Sequence, residues 1–289
     1  MFSRPATNHR RPSGVNPIPP SGENRLESPI FYLCGRDLKM DSETPVVLVI
    51  AGIDPSGGAG IFADFRAIES AGVRAVGAVT ALTVQTEHAF LNYEPTSPAM
   101  LRATVRGMAE AFEIAAVKIG MLANAEVVGT VVELLDELQA PKVVIDPVIV
   151  AAVGARLVDK AAEEVIRDEL VRRAFLLTPN MAEAAALAGL KVMDLASMHE
   201  AASVLREMGA ANVVVTGGHL EGDAIDVLET AKGGDDIRAT RLPGSVHGTG
   251  CAFSSAAAAA LAKGTSLLAA VTVAKAYVES LFMRESWRR

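Results

Sequence analysis

Cysteine is nearly absent: Cys34 and Cys251 stand at opposite ends of a 289-residue chain. That excludes a disulfide framework and any Cys-x-x-Cys metal site, and a reducing, cytoplasmic setting is expected. Histidine is sparse too, and His9, His88, His199, His219 and His247 have no metal-ligand spacing, which argues against zinc. Positive charge is in deficit, with 27 Lys and Arg against 34 Asp and Glu and a formal charge of −7. A nucleic-acid partner would demand the opposite balance, so none is expected. Aromatic residues supply only 4%, but hydrophobic residues as a whole reach 50%, ample for the core of one large domain or two small ones. No basic-then-apolar signal peptide opens the chain. The one charge-free run of membrane-spanning length, residues 242–262, begins with Pro243, Gly244, His247, Gly248 and Gly250 and is otherwise mostly Ala, Ser and Thr. It reads as a loop feeding a helix, and no membrane association is expected.

Residues 1–39 differ in kind from the rest. Six of the fourteen prolines fall between Pro5 and Pro29, among Ser, Asn and Arg. Such a segment buries too little apolar surface to offset its ordering entropy, so it reads as a disordered extension, an organelle-targeting peptide, or upstream sequence before a true start at Met40. Residues 40–289 are expected to form one domain.

From Met40 onward apolar runs alternate with helical stretches. Strands are expected at 45–51, 75–80, 115–119, 142–145, 175–178 and 212–216, and helices at 60–71, 100–112, 126–138, 159–173, 181–188 and 198–208, with a small-residue helix from about Ala252. Continuous Val, Ile and Leu runs predict strands buried on both faces. Strand–helix alternation predicts a parallel sheet with right-handed crossovers and helices on both sides, and ligands at the carboxyl ends of its strands.

Several loops carry candidate chemistry. Ala51-Gly-Ile-Asp-Pro-Ser-Gly-Gly-Ala-Gly60 joins a strand to a helix, and its glycines allow a close backbone approach to a ligand. It is neither a Walker loop nor a dinucleotide fingerprint, and on local chemistry alone a plain tight turn explains it equally well. In Gly244-Ser-Val-His-Gly-Thr-Gly-Cys251, Gly248, Thr249 and Gly250 would aim amides at one point, fit for a phosphoryl oxygen. Cys251 would sit in the first helical turn, where the dipole lowers a thiol's pKa; the alternative is an inert buried cysteine. Asp146 falls at a strand's carboxyl end, a position suited to hydrated magnesium. Asn180 and Glu183 have capping-box spacing, and Gly217-Gly218 ends another strand in a turn.

In this order, the loop 51–60, Ala81-Leu-Thr-Val-Gln85, Lys118-Ile-Gly-Met121, Asp146-Pro-Val148, Thr178-Pro-Asn-Met-Ala-Glu183, Gly217-Gly-His219 and His247-Gly-Thr-Gly-Cys251 resemble the hydroxymethylpyrimidine/phosphomethylpyrimidine kinases of thiamine biosynthesis, in the ribokinase-like superfamily. The resemblance spans about residues 45–283. It implies a three-layer α/β/α sandwich around a mainly parallel sheet, a homodimer, and ATP with Mg2+ as cofactors. The implied reaction phosphorylates 4-amino-5-hydroxymethyl-2-methylpyrimidine and then its monophosphate. The implied pyrimidine site is Gly52, Asp54, Ala59, Gln85, Met121 and Val148, with Cys251 and the Gly248, Thr249 and Gly250 turn as the catalytic group. Asn180, Thr216 and Gly218 would contact the nucleotide, and Asp146 and Glu183 the metal. Gln85 offers both an amide donor and a carbonyl acceptor, matching an aminopyrimidine edge. A thiolate base at Cys251 is the implied counterpart of the Asp that many relatives place there. Residues 149–155 lack the polar side chains the family often carries at that point. The competing expectations are a pyridoxal kinase and a non-catalytic ligand-binding domain on the same fold.

Overall fold

Strand β1 (Val46–Ile53) sends alternate side chains to two separate cores: Val46, Leu48 and Ile50 to one, Val47, Val49 and Ala51 to the other. This period of two with both faces buried places β1 in the middle of a helix-covered sheet. The computed structural model describes residues 44–286 except 87–88, 141, 151–153, 155, 219 and 221. The segment 1–39 and the Met40 start lie outside the described residues.

After α1 (Gly60–Ser70) come β2 (Arg74–Gln85), β3 (Phe90–Pro95), α2 (Pro98–Ala111), β4 (Ile114–Ile119), α3 (Ala125–Leu138), β5 (Val143–Ile145) and α4 (Lys160–Val165). Then follow β6 (Leu176–Leu177), α5 (Met181–Ala188), α6 (Leu195–Glu207), β7 (Val213–Val215), β8 (Ala224–Thr230), β9 (Gly233–Ala239), α7 (Thr249–Ala262) and α8 (Leu267–Ser286). The strands form one sheet in the order β3-β2-β1-β4-β5-β6-β7-β8-β9. Its centre, from β2 to β7, is parallel, while β3, β8 and β9 pair antiparallel. Residues of α2 to α6 fill the core on one face, and residues of α1, α7 and α8 fill the other. The expected α/β/α sandwich is the architecture observed. Because β2 lies on one side of β1 and β4 on the other, the chain reverses direction across the sheet beside β1, opening a crevice at the strands' carboxyl ends.

The small-residue run forms α7, in which every residue from 252 to 261 is buried. Alanine and serine let α1 and α8 approach closely on either side, which explains a long charge-free stretch without a lipid bilayer. Among the described residues, no helix is long and apolar enough to cross a membrane. The expected helix over 159–173 changes character: α4 passes into a π turn at Ile166–Leu170 and a 3-10 turn at Val171–Arg173. The changed winding keeps Ile166, Leu170 and Val171 all buried.

Candidate active site

The loop after β1 is organised by Asp54. Its Oδ1 accepts from the Ser56 amide and hydroxyl at 2.9 and 2.7 Å, and its Oδ2 accepts from the Ala59 amide at 2.8 Å. These bonds curl residues 54–59 into a tight turn that ends at the first residue of α1. Gly60 there has φ of +59°, and a Cβ would lie 2.5 Å from the Gly52 carbonyl oxygen. The Gln85 side chain neighbours Asp54 and favours its charged form, and His247 Nε2 lies 2.9 Å from Oδ2. Burial opposes its ionisation, but Ser56, Gln85, the Ala59 amide and His247 outweigh burial and hold the carboxyl below the usual range.

Opposite this loop, α7 begins at Thr249 with Gly248 as N-cap at φ of +79° and no side-chain capping bond. The first-turn amides therefore face the cavity at the positive end of the helix. A Cβ on Gly250 would sit 3.8 Å from Asp146 Oδ2, so the carboxylate after β5 borders the same turn. Ser254 Oγ, one turn on, donates to Asp146 Oδ2 at 3.3 Å.

Beneath the turn lies a fully buried ion pair, Lys118 on β4 and Asp64 on α1, at 2.9 Å, with Ser255 Oγ donating to Asp64 Oδ1 at 2.8 Å. It ties together the three elements that carry the Gly-rich loop, Met121 and the α7 turn. Burial works against the Lys118 charge, but the Asp64 and Asp146 carboxylates outweigh it and hold the ammonium above its ordinary value. Cys251 departs from expectation. Burial, with Asp64 and Asp146 beside it, pushes the thiol well above its ordinary value despite Lys118 and the Gly60 amide. A helix end favours a thiolate only where the sulfur is not enclosed alongside carboxylates, so this thiol is neutral at physiological pH.

The pair Asp146 and Glu183 has the character of a cation site. Burial pushes Asp146 upward, and burial together with the Asp146 charge pushes Glu183 up to about 8. Glu183 also completes the expected capping box, its Oε2 accepting from the Asn180 amide at 3.0 Å. Among the described residues no group of three His, Cys, Asp or Glu could hold a metal. Two crowded oxygen ligands fit magnesium, which keeps several waters and binds phosphates. Folded Glu183 retains its proton up to about 8 whereas an unfolded glutamate loses it near 4.5, so its contribution is full below about 4.5 and is lost as pH rises through 8. The metal-free protein should therefore lose melting temperature between pH 5 and 8, and Glu183→Gln should flatten that slope in scanning fluorimetry; equal slopes would contradict the shift.

Every site residue named from the sequence lines one cavity of about 1210 Å³, and so does Lys118, while Ser56, Asp64, Ser254 and Ser255 support it from behind. Gly52, Asp54, Ala59, Gln85, Met121, Val148 and Cys251 border it, as do Asn180, Thr216, Gly218, Asp146, Glu183 and the Gly248, Thr249 and Gly250 turn. Met121 Sδ would be 3.1 Å from a Cβ on Gly52, so β1 and β4 end in direct contact.

A model of the phosphomethylpyrimidine kinase family matches residues 54–288. The chain belongs to this family. It is 40% identical over 235 residues to a hydroxymethylpyrimidine/phosphomethylpyrimidine kinase of Streptomyces coelicolor, covering 81% of this chain and 87% of that protein. It is 36% identical to the one from Haemophilus influenzae, covering 82% and 90%. Among solved structures, phosphomethylpyrimidine kinase of Clostridium difficile matches with a TM-score of 0.74 at 30% identity, covering 82% and 99%. An ADP complex of Bacillus subtilis pyridoxal kinase matches with the same TM-score at 31% identity, covering 80% and 89%. Backbone similarity alone does not separate the two vitamin kinases.

With the family in view, residues the sequence reading passed over stand out at the cavity. Leu242, Pro243, Val278 and Phe282 add apolar side chains to its lining, which also holds Asn180, Thr216 and Gly218. Val278 and Phe282 are one helical turn apart on α8, a spacing indistinguishable in sequence from ordinary core packing. Lys275 on the same helix binds Asp226 at 2.7 Å, and Asp226 Oδ1 accepts from the Gly217 amide at 3.0 Å, fixing the turn that ends β7. Lys118 had a legible signal: a charged residue inside the apolar run of a buried strand.

Proposed function

We propose that this chain transfers the γ-phosphoryl group of ATP to the hydroxymethyl group of 4-amino-5-hydroxymethyl-2-methylpyrimidine, and then phosphorylates the resulting monophosphate, in thiamine biosynthesis. The observation that carries this reading is the uncapped α7 turn opening on the same cavity as Gln85. An ionised Asp54 can only accept, so Gln85 must turn its amide nitrogen toward it. The second N–H and the carbonyl oxygen are left for an aminopyrimidine's ring nitrogen and amino group. Pyridoxal presents a phenolic oxygen and an aldehyde instead, a poorer match to that fixed pattern. Met121 and Val148 supply apolar walls, as expected of a pocket with few directional polar groups.

Phosphoryl transfer needs alignment and charge stabilisation more than covalent help. The bond from the γ-phosphorus to the bridging oxygen breaks as one to the hydroxymethyl oxygen forms, and the amides of residues 248–251 receive the charge on the equatorial oxygens. Asp146 and Glu183 would hold magnesium, which supplies positive charge against the polyphosphate. Cys251, already protonated, walls the pocket, and the hydroxyl proton passes to a phosphoryl oxygen. Related pyridoxal kinases have been solved with ADP and with AMP-PCP, which supports a nucleotide in this cavity, and the apolar side chains of Val278 and Phe282 suit its base. The test is ATP consumption by the purified chain with the pyrimidine, its monophosphate and pyridoxal in parallel. Turnover of the first two is expected; ligand-induced thermal stabilisation without turnover would instead make the chain a binding domain.

A further inference from the structure

The two Gly-rich loops meet backbone to backbone. A Cβ on Gly248 would lie 2.1 Å from the Gly58 carbonyl oxygen and 3.0 Å from Ala59 Cα. Across this join the His247 ring reaches Asp54, Nε2 to Oδ2 at 2.9 Å, and packs so tightly over Gly58 that a Cβ there would sit 2.3 Å from its Cδ2. An acceptor-only carboxylate requires the imidazole to donate from Nε2. Asp54 is in turn the partner of Gln85, and His247 immediately precedes the N-cap of α7. A continuous path therefore runs from the side chain assigned to the pyrimidine edge, through Asp54 and His247, to the amides assigned to the phosphoryl group.

We infer that His247 is a positioning residue: its bond to Asp54 latches the α7 turn onto the loop that holds the pyrimidine, setting the anion-binding amides against the hydroxymethyl oxygen. The inference rests on the proposed function and adds a residue to it. His247 touches neither reacting group, so its removal should act on turnover and leave pyrimidine binding nearly intact. Its side chain is 22% exposed and lines the cavity, so its replacement leaves both hydrophobic cores untouched. The effect on rate is large because misplacing reacting groups by about 1 Å costs on the order of 100-fold.

The experiment compares His247→Leu, His247→Gln and Gly58→Ala in the full chain, measuring kcat at saturating ATP, pyrimidine Kd by calorimetry and melting temperature. His247→Leu should lower kcat about 30-fold with Kd within about threefold. His247→Gln, which returns an N–H near the Nε2 position, should recover most of the loss. Gly58→Ala should reproduce it, because the new methyl is accommodated by swinging the imidazole away; it keeps the same readout should His247→Leu fail to fold. A kcat within threefold of wild type in both His247→Leu and Gly58→Ala would overturn the latch. So would equal losses in kcat and pyrimidine affinity, or a Gln variant no better than Leu. If wild type turns over pyridoxal and not the pyrimidine, the functional reading fails, and the same variants assayed with pyridoxal still decide the latch.

Discussion

Gly248→Ala should reduce kcat about 1000-fold while the protein stays folded, combining misalignment of the turn with loss of an oxyanion-type donor. The alanine methyl would be placed 2.1 Å from the Gly58 carbonyl oxygen, against backbone that cannot rotate aside, at a φ of +79°. The α7 turn must back away from the loop 52–60, carrying its amides with it. The left-handed conformation itself costs a non-glycine residue only about 1–2 kcal/mol. Gly72→Ala separates the two effects: φ there is +71°, nothing lies within 4 Å of the new Cβ, and the position is remote from the cavity. Gly72→Ala should lose similar stability and keep its turnover. Steady-state kinetics and thermal melts of both variants check this, and comparable activity in the two would contradict the close-approach argument.

Lys118→Met should be the most destabilising single change at the site, by about 3–5 kcal/mol, because it strands the Asp64 carboxylate in a fully buried position. For a chain of this size that corresponds to a drop of roughly 10 °C in melting temperature. Replacing both partners by apolar residues, Lys118→Met with Asp64→Leu, should recover part of the loss, since the unpaired charge and not the missing attraction dominates the cost. Recovery stays incomplete because Ser255 Oγ loses its acceptor. Chemical denaturation of the single and double variants measures this; a Lys118→Met protein within 1 kcal/mol of wild type would mean that Asp64 is not held as a charged partner.

Much of this organisation is legible in the sequence where local chemistry and tertiary position agree. The β1 run announces burial on both faces because nearly every residue is apolar, and the Asn180–Glu183 spacing is visible because a capping box is a local motif. Strand β9, Gly-Gly-Asp-Asp-Ile-Arg-Ala, gives no such signal: it is an outer edge with only Ile237 buried, held by pairing with β8. The ion pair of Lys118 with Asp64 joins residues far apart in the chain, and so does the bond of His247 to Asp54, so neither partner can be named before the fold is known. Asp54 illustrates the limit most clearly. A carboxylate in a Gly-rich loop suggests a ligand contact, yet its two oxygens are engaged by Ser56, Ala59 and His247, and its reach toward the substrate pocket runs through Gln85. For Cys251 the dipole argument uses the helix alone; burial and the neighbouring carboxylates, which reverse it, come from other elements.

The central claim, that Gln85 held by Asp54 selects an aminopyrimidine for phosphorylation, is tested most directly by kcat/KM for hydroxymethylpyrimidine and pyridoxal in wild type and Gln85→Leu. A site built around fixed donors and acceptors should favour the pyrimidine at least about 100-fold in wild type, and Gln85→Leu should erase most of that preference. Equal or better use of pyridoxal by the wild-type chain, or a preference unchanged by Gln85→Leu, would contradict it.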